Sequence, residues 1–228
     1  MEMPRLPPGQ TLTEKWPVLY YGGIPRIDLA KWMFTVEGEV DSPIRWTWDE
    51  FTALPRKSVR CDVHCVTAWS RFDNVFEGVP ASEVIGRARP RAGAAFVMAH
   101  SYGDYTTNLK FDDLMQDDVV FAFTHDGRPL TPEHGGPCRL VVPRLYFWKS
   151  AKWVRGLEFM REERPGFWEQ NGYHIRGDPW HEERYADVGF SGVGRGAQYS
   201  LACQGEMVGH IACTMAHGQP VVQVMSVP

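Results

Sequence analysis

The apolar residues of this chain fall on every second position, and only over short runs. Trp32, Phe34 and Val36 alternate with Met33, Thr35 and Glu37. Val59, Cys61, Val63 and Cys65 alternate with Arg60, Asp62, His64 and Val66, and alternation returns over Trp153 to Met160. A period of two is that of a half-buried strand. Ala94 to His100, Val119 to Thr124 and Pro137 to Val142 read as further strands, with Asp126-Gly127 turning the chain after the second of these. Ser101 to Asn108 reads as a polar loop or strand with Tyr105, Thr106 and Thr107 in a row. Helical signals are few. Thr47-Trp48-Asp49-Glu50 is a capping box opening a short helix that ends before Pro55, and a second short helix is expected near Ser82 to Gly86. Many short strands and few short helices predict an α+β, sheet-dominated fold.

A chain of 228 residues forms one large domain, or one domain with a tail. It buries roughly 70% of its unfolded surface, enough for a sizeable core. The 12 Phe, 9 Trp and 8 Tyr favour strands and a site walled by rings. Net charge is −4 and no basic run stands out, so no nucleic-acid partner is expected. No apolar segment approaches the roughly 20 residues that span a bilayer, so no membrane span is expected. Met1 to Gln10 has neither an apolar core nor a twin arginine, so no export signal is expected. Five cysteines make an odd set without a compact framework. They read as reduced thiols in a cytoplasmic protein.

The organisation read from the sequence is threefold. Residues 1–15 are Pro-rich and irregular, residues 16–186 carry the domain, and residues 187–228 form an extension. Arg164 to Tyr185 is aromatic and polar without period and reads as an ordered surface loop. Beyond it the chain is rich in Gly and Ser and holds Cys203, His210, Cys213 and His217. No glycine-rich dinucleotide motif and no close cysteine cluster occurs there.

The alternation that contains Cys65 stops at Thr67-Ala68-Trp69-Ser70, which places this cysteine where a strand hands over to a loop. Catalytic groups concentrate at such edges. Alone, Cys65 reads as a small buried hydrophobe. A second segment reverses that. It is His134-Gly135-Gly136-Pro137-Cys138-Arg139, followed by a strand and by Trp148-Lys149-Ser150-Ala151-Lys152-Trp153. Together the two segments resemble the sulfite oxidase family of molybdenum enzymes, and most closely its small bacterial branch. The resemblance runs from about Trp16 to about Tyr185.

The resemblance implies a molybdenum–molybdopterin cofactor and two-electron oxygen-atom transfer on a small-molecule substrate. It also implies a separate electron-transfer partner. Cys65 takes the position of the thiolate ligand, a soft donor suited to the metal. Cys61, two pleats earlier on the same strand face, is the competing candidate. His134, Arg139, Ser150 and Lys152 fall on the positions that hold the cofactor's phosphate and pterin edge, and Lys149 is a further basic candidate. Tyr173 falls where the family keeps a tyrosine beside the reacting oxygen.

Two departures bear on the substrate. Sulfite oxidases surround their anion with arginines, and Val18 to Gly23 and Ala68 to Ser70 contain none. The dimerisation and haem domains of the animal enzymes are missing as well. A Tyr- and Trp-lined pocket then suits a neutral S-oxide or N-oxide as well as sulfite. The alternatives are a non-catalytic cofactor-binding protein, or a zinc site made of Cys61, His64 and Cys65.

Overall fold

The computed structural model describes residues 4–186, together with the backbone of 210–216 and 219–225. The strands in chain order are β1 (Thr11–Leu12), β2 (Met33–Gly38), β3 (Ile44–Thr47), β4 (Lys57–His64), β5 (Trp69–Pro80), β6 (Phe96–Ser101) and β7 (Thr106–Lys110). They continue with β8 (Val120–His125), β9 (Arg128–Pro129), β10 (Arg139–Val141), β11 (Val154–Met160), β12 (His210–Ala216) and β13 (Gln219–Met225). Among the described residues four short α-helices lie between them: α1 (Trp48–Thr52), α2 (Ala81–Ala88), α3 (Phe111–Leu114) and α4 (Phe167–Gln170). The expected α+β, sheet-dominated fold is what forms.

Two sheets organise the domain. One has five strands in the order β3-β2-β11-β6-β7; the other follows β1-β5-β8-β10, with β4 paired to β5 and β9 to β8. β12 and β13 form their own antiparallel pair. Cys203 and His217 lie outside the described residues, as do the side chains of His210 and Cys213.

The period of two decides where the core goes. Along β8, Phe121 and Phe123 enter one apolar cluster, and Val120 and Ala122 enter another. β10 divides in the same way between Leu140 and Val141. Successive strand side chains point to opposite faces, so this sheet is buried on both. The first cluster joins it to the five-stranded sheet through Phe34, Leu157 and Phe159 and is closed by Phe51 of α1 and Val84 and Ile85 of α2. The second cluster holds Cys65, Trp69, Tyr146 and Trp148 and is covered by Trp16, Leu19, Trp168 and Tyr173.

Local chemistry explains several boundaries. Thr47 and Glu50 make the full reciprocal capping box at the start of α1, as the sequence pattern requires. Asp126 and Gly127 both have positive φ, 48° and 75°, the geometry of the tight hairpin between β8 and β9. β5 runs for 12 residues and was not among the strands read from the sequence. Trp69 and Ser70, read as loop, are its first two residues. Gly78 lies at the register shift where β5 meets β8. A Cβ there would collide with the carbonyl of Phe121, so only glycine permits that approach.

The N-terminal segment is built into the sheet. β1 pairs in parallel with β5, Thr11 opposite Trp69 and Leu12 opposite Ser70. Its sequence carries no periodicity because only two residues join the ladder. The loop after residue 164 is likewise more structured than its sequence suggests. It contains α4, and Glu169 within it is buried.

Candidate active site

Cys65 directly follows β4 and opens a tight turn into β5. Its backbone N–H donates to the carbonyl of Trp69 at 2.8 Å, and its carbonyl accepts from the N–H of Ala68 at 3.1 Å. Ala68 takes a φ of 70° to close the turn. The side chain is 6% exposed, and its sulfur lies 3.1 Å from the hydroxyl of Thr67. Burial pushes the Cys65 thiol up, while the Thr67 hydrogen bonds and the charges of Arg184 and Lys152 pull it down. Cys61 is half-buried, and burial together with Asp118 pushes its thiol up to about 12. The ladder slips between Cys61 and Val63, so the two cysteines do not repeat in simple register.

Arg139, within electrostatic reach of Cys61 and Tyr105, is the most unusual group in this region. Its side chain is 1% exposed. One terminal nitrogen donates to the carbonyl of His134 at 2.9 Å and the other to that of Ser150 at 3.0 Å. Its Nε has no hydrogen-bond partner among the described residues. Its guanidinium lies over Phe147, 4.2 Å from the ring centre. Burial pushes its pKa down to about 9.

Lys152 sits close by. Its ammonium donates to the carbonyls of Leu19 at 2.7 Å and Glu133 at 2.5 Å. Burial, then the charge of Arg139, pushes its pKa down to about 7. Neither cation pairs with a carboxylate among the described residues. Two desolvated like charges side by side are costly unless an anion compensates them.

His134 and Ser150 complete this side of the site. His134 Nε2 donates to the carbonyl of Trp16 at 3.3 Å, and Nδ1 lies 3.2 Å from the Thr131 hydroxyl. Burial pushes this imidazole down to about 4, so it is neutral at pH 7. The ring of Trp16 lies tilted against His134, with centroids 3.9 Å apart, and against His125, at 4.0 Å. Ser150 is buried and its hydroxyl accepts from the backbone of Val142 at 2.9 Å.

Tyr173 joins the aromatic wall. It stacks on Trp168 at 4.9 Å and meets Trp148 edge-on at 5.1 Å, and Trp148 stacks on Tyr146. Tyr105, noticed only as one of three hydroxyl residues, donates its hydroxyl to the carbonyl of Trp148 at 2.6 Å. Burial pushes it well above its ordinary value.

The structure thus gathers Cys65, His134, Arg139, Ser150, Lys152 and Tyr173 around one aromatic-walled region. Lys149 does not join them. Its fully buried ammonium pairs with Glu169 at 2.6 Å and donates to Asn108 and Ile175. Cys61, His64 and Cys65 do not converge on a metal either: no group of three such ligands forms among the described residues. The zinc alternative lacks its geometry, because His64 directs Nδ1 to Ser70 at 2.8 Å instead.

Two residues near Cys65 escaped the sequence reading. Arg184 donates to the carbonyl of Val66 at 2.5 Å and to that of Gly9 at 3.2 Å. Gln10 donates to the carbonyl of Cys65 at 3.1 Å. Both reach the site from aperiodic segments, where no pattern marks them.

The family profile described as "Oxidoreductase molybdopterin binding domain" matches residues 21–168. The chain belongs to this family. It is an oxidoreductase whose cofactor is molybdenum–molybdopterin, as the sulfite oxidase resemblance implied. It is 48% identical over 182 residues to "Uncharacterized oxidoreductase YuiH" of Bacillus subtilis, covering 79% of this chain and 92% of that protein. It is 28% identical over 153 residues to "Protein-methionine-sulfoxide reductase catalytic subunit MsrP" of Ralstonia nicotianae, covering 60% of this chain and 46% of that one. The solved sulfane dehydrogenase SoxCD of Paracoccus pantotrophus shares the fold, with a TM-score of 0.56 at 23% identity. That likeness covers 61% of this chain and 41% of the solved one.

The residues present fit the cofactor. Arg139, with Nε open, and Lys152, neither in a salt bridge among the described residues, suit an anionic group, and Cys65 offers the sulfur ligand. A pH dependence follows for the cofactor-free chain. The Lys152 pKa falls from 10.5 unfolded to about 7 folded, so between these values the unfolded chain binds the extra proton. Stability therefore rises as pH climbs from about 7 toward 10.5. Denaturant midpoints at pH 7 and pH 9 should show this rise, and Lys152→Met should flatten it. Equal slopes in the two proteins would remove Lys152 as the cause.

Proposed function

We propose that this chain catalyses two-electron oxygen-atom transfer on a small, uncharged S-oxide- or N-oxide-type substrate. The observation that carries the reading is the adjacent pair of cations, buried Arg139 and half-buried Lys152, neither in a salt bridge among the described residues, with Lys152 close enough to act on the buried thiol of Cys65. When bound, the cofactor supplies the redox chemistry, and the protein binds, orients and tunes it.

In this reading Cys65 is the metal's thiolate. Arg139 and Lys152 neutralise the cofactor's anionic groups, with Arg139 Nε the open donor. His134 and Ser150 shape the same wall, and the Ser150 hydroxyl proton remains available to donate. Tyr173, held by Trp168 and Trp148, would offer its phenol to the substrate oxygen. Lys149 acts one layer below, pinning the α4 segment to β7 through Glu169 and Asn108.

The choice of an uncharged substrate rests on what the nearby arginines do. Arg71 is held by Asn74, by Asp126 at 2.8 Å and by the carbonyl of Glu14 at 3.3 Å. Arg184 donates to backbone carbonyls. Neither is left to replace the water around a divalent anion. The partly exposed rings of Trp168 and Tyr173 offer faces and edges that suit a polarisable sulfur. The relative named as a methionine-sulfoxide reductase supports the same substrate class.

Electrons pass to or from a separate protein partner. No helix among the described residues is long and apolar enough to cross a membrane. Cys61, Cys65 and Cys138 are free thiols, which supports a reducing, cytoplasmic setting.

The test is steady-state kinetics with an artificial electron donor or acceptor, comparing methyl sulfoxides and amine N-oxides with sulfite. Saturable turnover of an S-oxide or N-oxide is expected. Efficient sulfite oxidation at low substrate concentration would overturn the substrate assignment. In parallel, Arg139→Ala and Lys152→Ala should each lower the pterin content of purified protein. Normal pterin stoichiometry in both would contradict their placement.

A further inference from the structure

The backbone of Cys65 is held by more than its own turn. Its carbonyl accepts two hydrogen bonds, one from the N–H of Ala68 and one from Nε2 of Gln10, each at 3.1 Å. Gln10 belongs to the segment that precedes β1 and is 9% exposed. Its amide is not free to flip. A carbonyl only accepts, so the NH2 group must face Cys65 and Oε1 must face the other way. There Oε1 accepts from the hydroxyl of Ser70 at 3.1 Å. Ser70 has given its one proton to Gln10, so it accepts from Nδ1–H of His64 at 2.8 Å. Ser70 is fully buried, and His64 is 1% exposed. The ring of His64 is itself fixed edge-on against Trp180, with centroids 5.0 Å apart.

Every donor and acceptor in this chain has one permitted orientation. It runs from His64 through Ser70 and Gln10 to the carbonyl of Cys65. Its members come from β4, from β5 and from the N-terminal segment. The parallel pairing of β1 with Trp69 and Ser70 sets Gln10 at the right height. Arg184 fastens the same segment by donating to the carbonyls of Gly9 and Val66.

We propose that Gln10 is a positioning residue for the metal-bound sulfur of Cys65, with its amide oriented by Ser70 and His64. This rests on Cys65 as the ligand and assigns a role to a segment outside the matched family region. The bond to Gln10 fixes the peptide plane that follows Cys65, and with it the direction in which Cβ presents the sulfur. Supporting groups that hold a ligand's orientation tune the metal as well as its affinity. His64 acts only through the relay, so any residue that donates from the Nδ1 position should replace it. Asparagine does so, because its side-chain NH2 lies where Nδ1 lies. Leucine does not.

The experiment compares Gln10→Met, His64→Leu and His64→Asn with the unaltered chain in two arms. The first uses loaded protein, matched for molybdenum content, and reads the paramagnetic resonance spectrum and the midpoint potential of the metal. Gln10→Met and His64→Leu should shift both, and His64→Asn should restore the original values. Unchanged spectra in Gln10→Met, or an Asn variant as perturbed as the Leu variant, would overturn the proposal. The second arm needs no metal. It measures hydrogen exchange at the Ala68 amide, which shares the Cys65 carbonyl, in the cofactor-free chain. Exchange should quicken about fivefold in Gln10→Met, the loss of one net hydrogen bond. Exchange unchanged there would show that the relay does not hold the turn. Molybdenum missing from the unaltered protein would count against the functional reading, while the exchange arm would still decide the relay.

Discussion

Cys65→Ser should abolish turnover while the domain still folds. The sulfur is buried at the mouth of a hairpin whose backbone bonds do not depend on the side chain. Serine is close in size, so packing around Val66 and Trp69 should survive. The chemistry should not, because a hydroxyl oxygen is a harder donor than a thiolate. Altering groups that only support a ligand costs ~10–100-fold, so replacing the ligand itself should cost more than ~100-fold in kcat. Cys61→Ser is the internal control and should retain most activity. Turnover and circular dichroism, read together with molybdenum content, check the result. Native turnover with full metal in the Cys65 variant would refute the assignment.

The largest loss of stability is expected one layer below the site. Lys149 and Glu169 have side chains 0% and 1% exposed and pair at 2.6 Å. Burial pulls the lysine pKa down, and Glu169 pulls it back. The same carboxylate accepts from the indole N–H of Trp148 at 2.8 Å and from the Thr107 hydroxyl at 3.3 Å. Lys149→Met leaves that carboxylate buried without its counter-charge. Such a break costs about 3–5 kcal/mol. The urea midpoint of the cofactor-free chain should fall accordingly, with its slope unchanged. Lys149→Met combined with Glu169→Leu should lose less than the single change, because no charge is left stranded. A single variant within ~1 kcal/mol of the unaltered chain would refute the account.

The same pair shows why part of the site escaped the sequence. Lys149 stands in a run with Ser150 and Lys152, and in sequence the two lysines look alike. The Phe147–Lys149 turn sends them to different places. Lys152 faces the carbonyls of Leu19 and Glu133, and Lys149 faces Asn108, Ile175 and Glu169. Glu169 itself was assigned to a surface loop because its surroundings have no period. Long-range pairing, not local pattern, buries it.

Periodicity and turn chemistry determined much of this protein by themselves. Alternation in β2, β4 and β11, the Thr47–Glu50 box and the Asp126-Gly127 turn each follow from interactions within a few residues. These local preferences specify strands and caps whatever the rest of the chain does. The position of Cys65 at a strand end was determined in the same way, whereas His134, Arg139, Ser150 and Lys152 stood out only through the resemblance to the sulfite oxidase family. Only the tertiary structure decided what lies around the thiol. β1, Gln10, Arg184 and the Tyr105–Trp148–Tyr173 wall come from segments 40 to 120 residues away from Cys65 in sequence. They meet it because the six-stranded sheet is buried on both faces and its outer face needs a cover. No single segment carries enough apolar surface to announce that it will supply it.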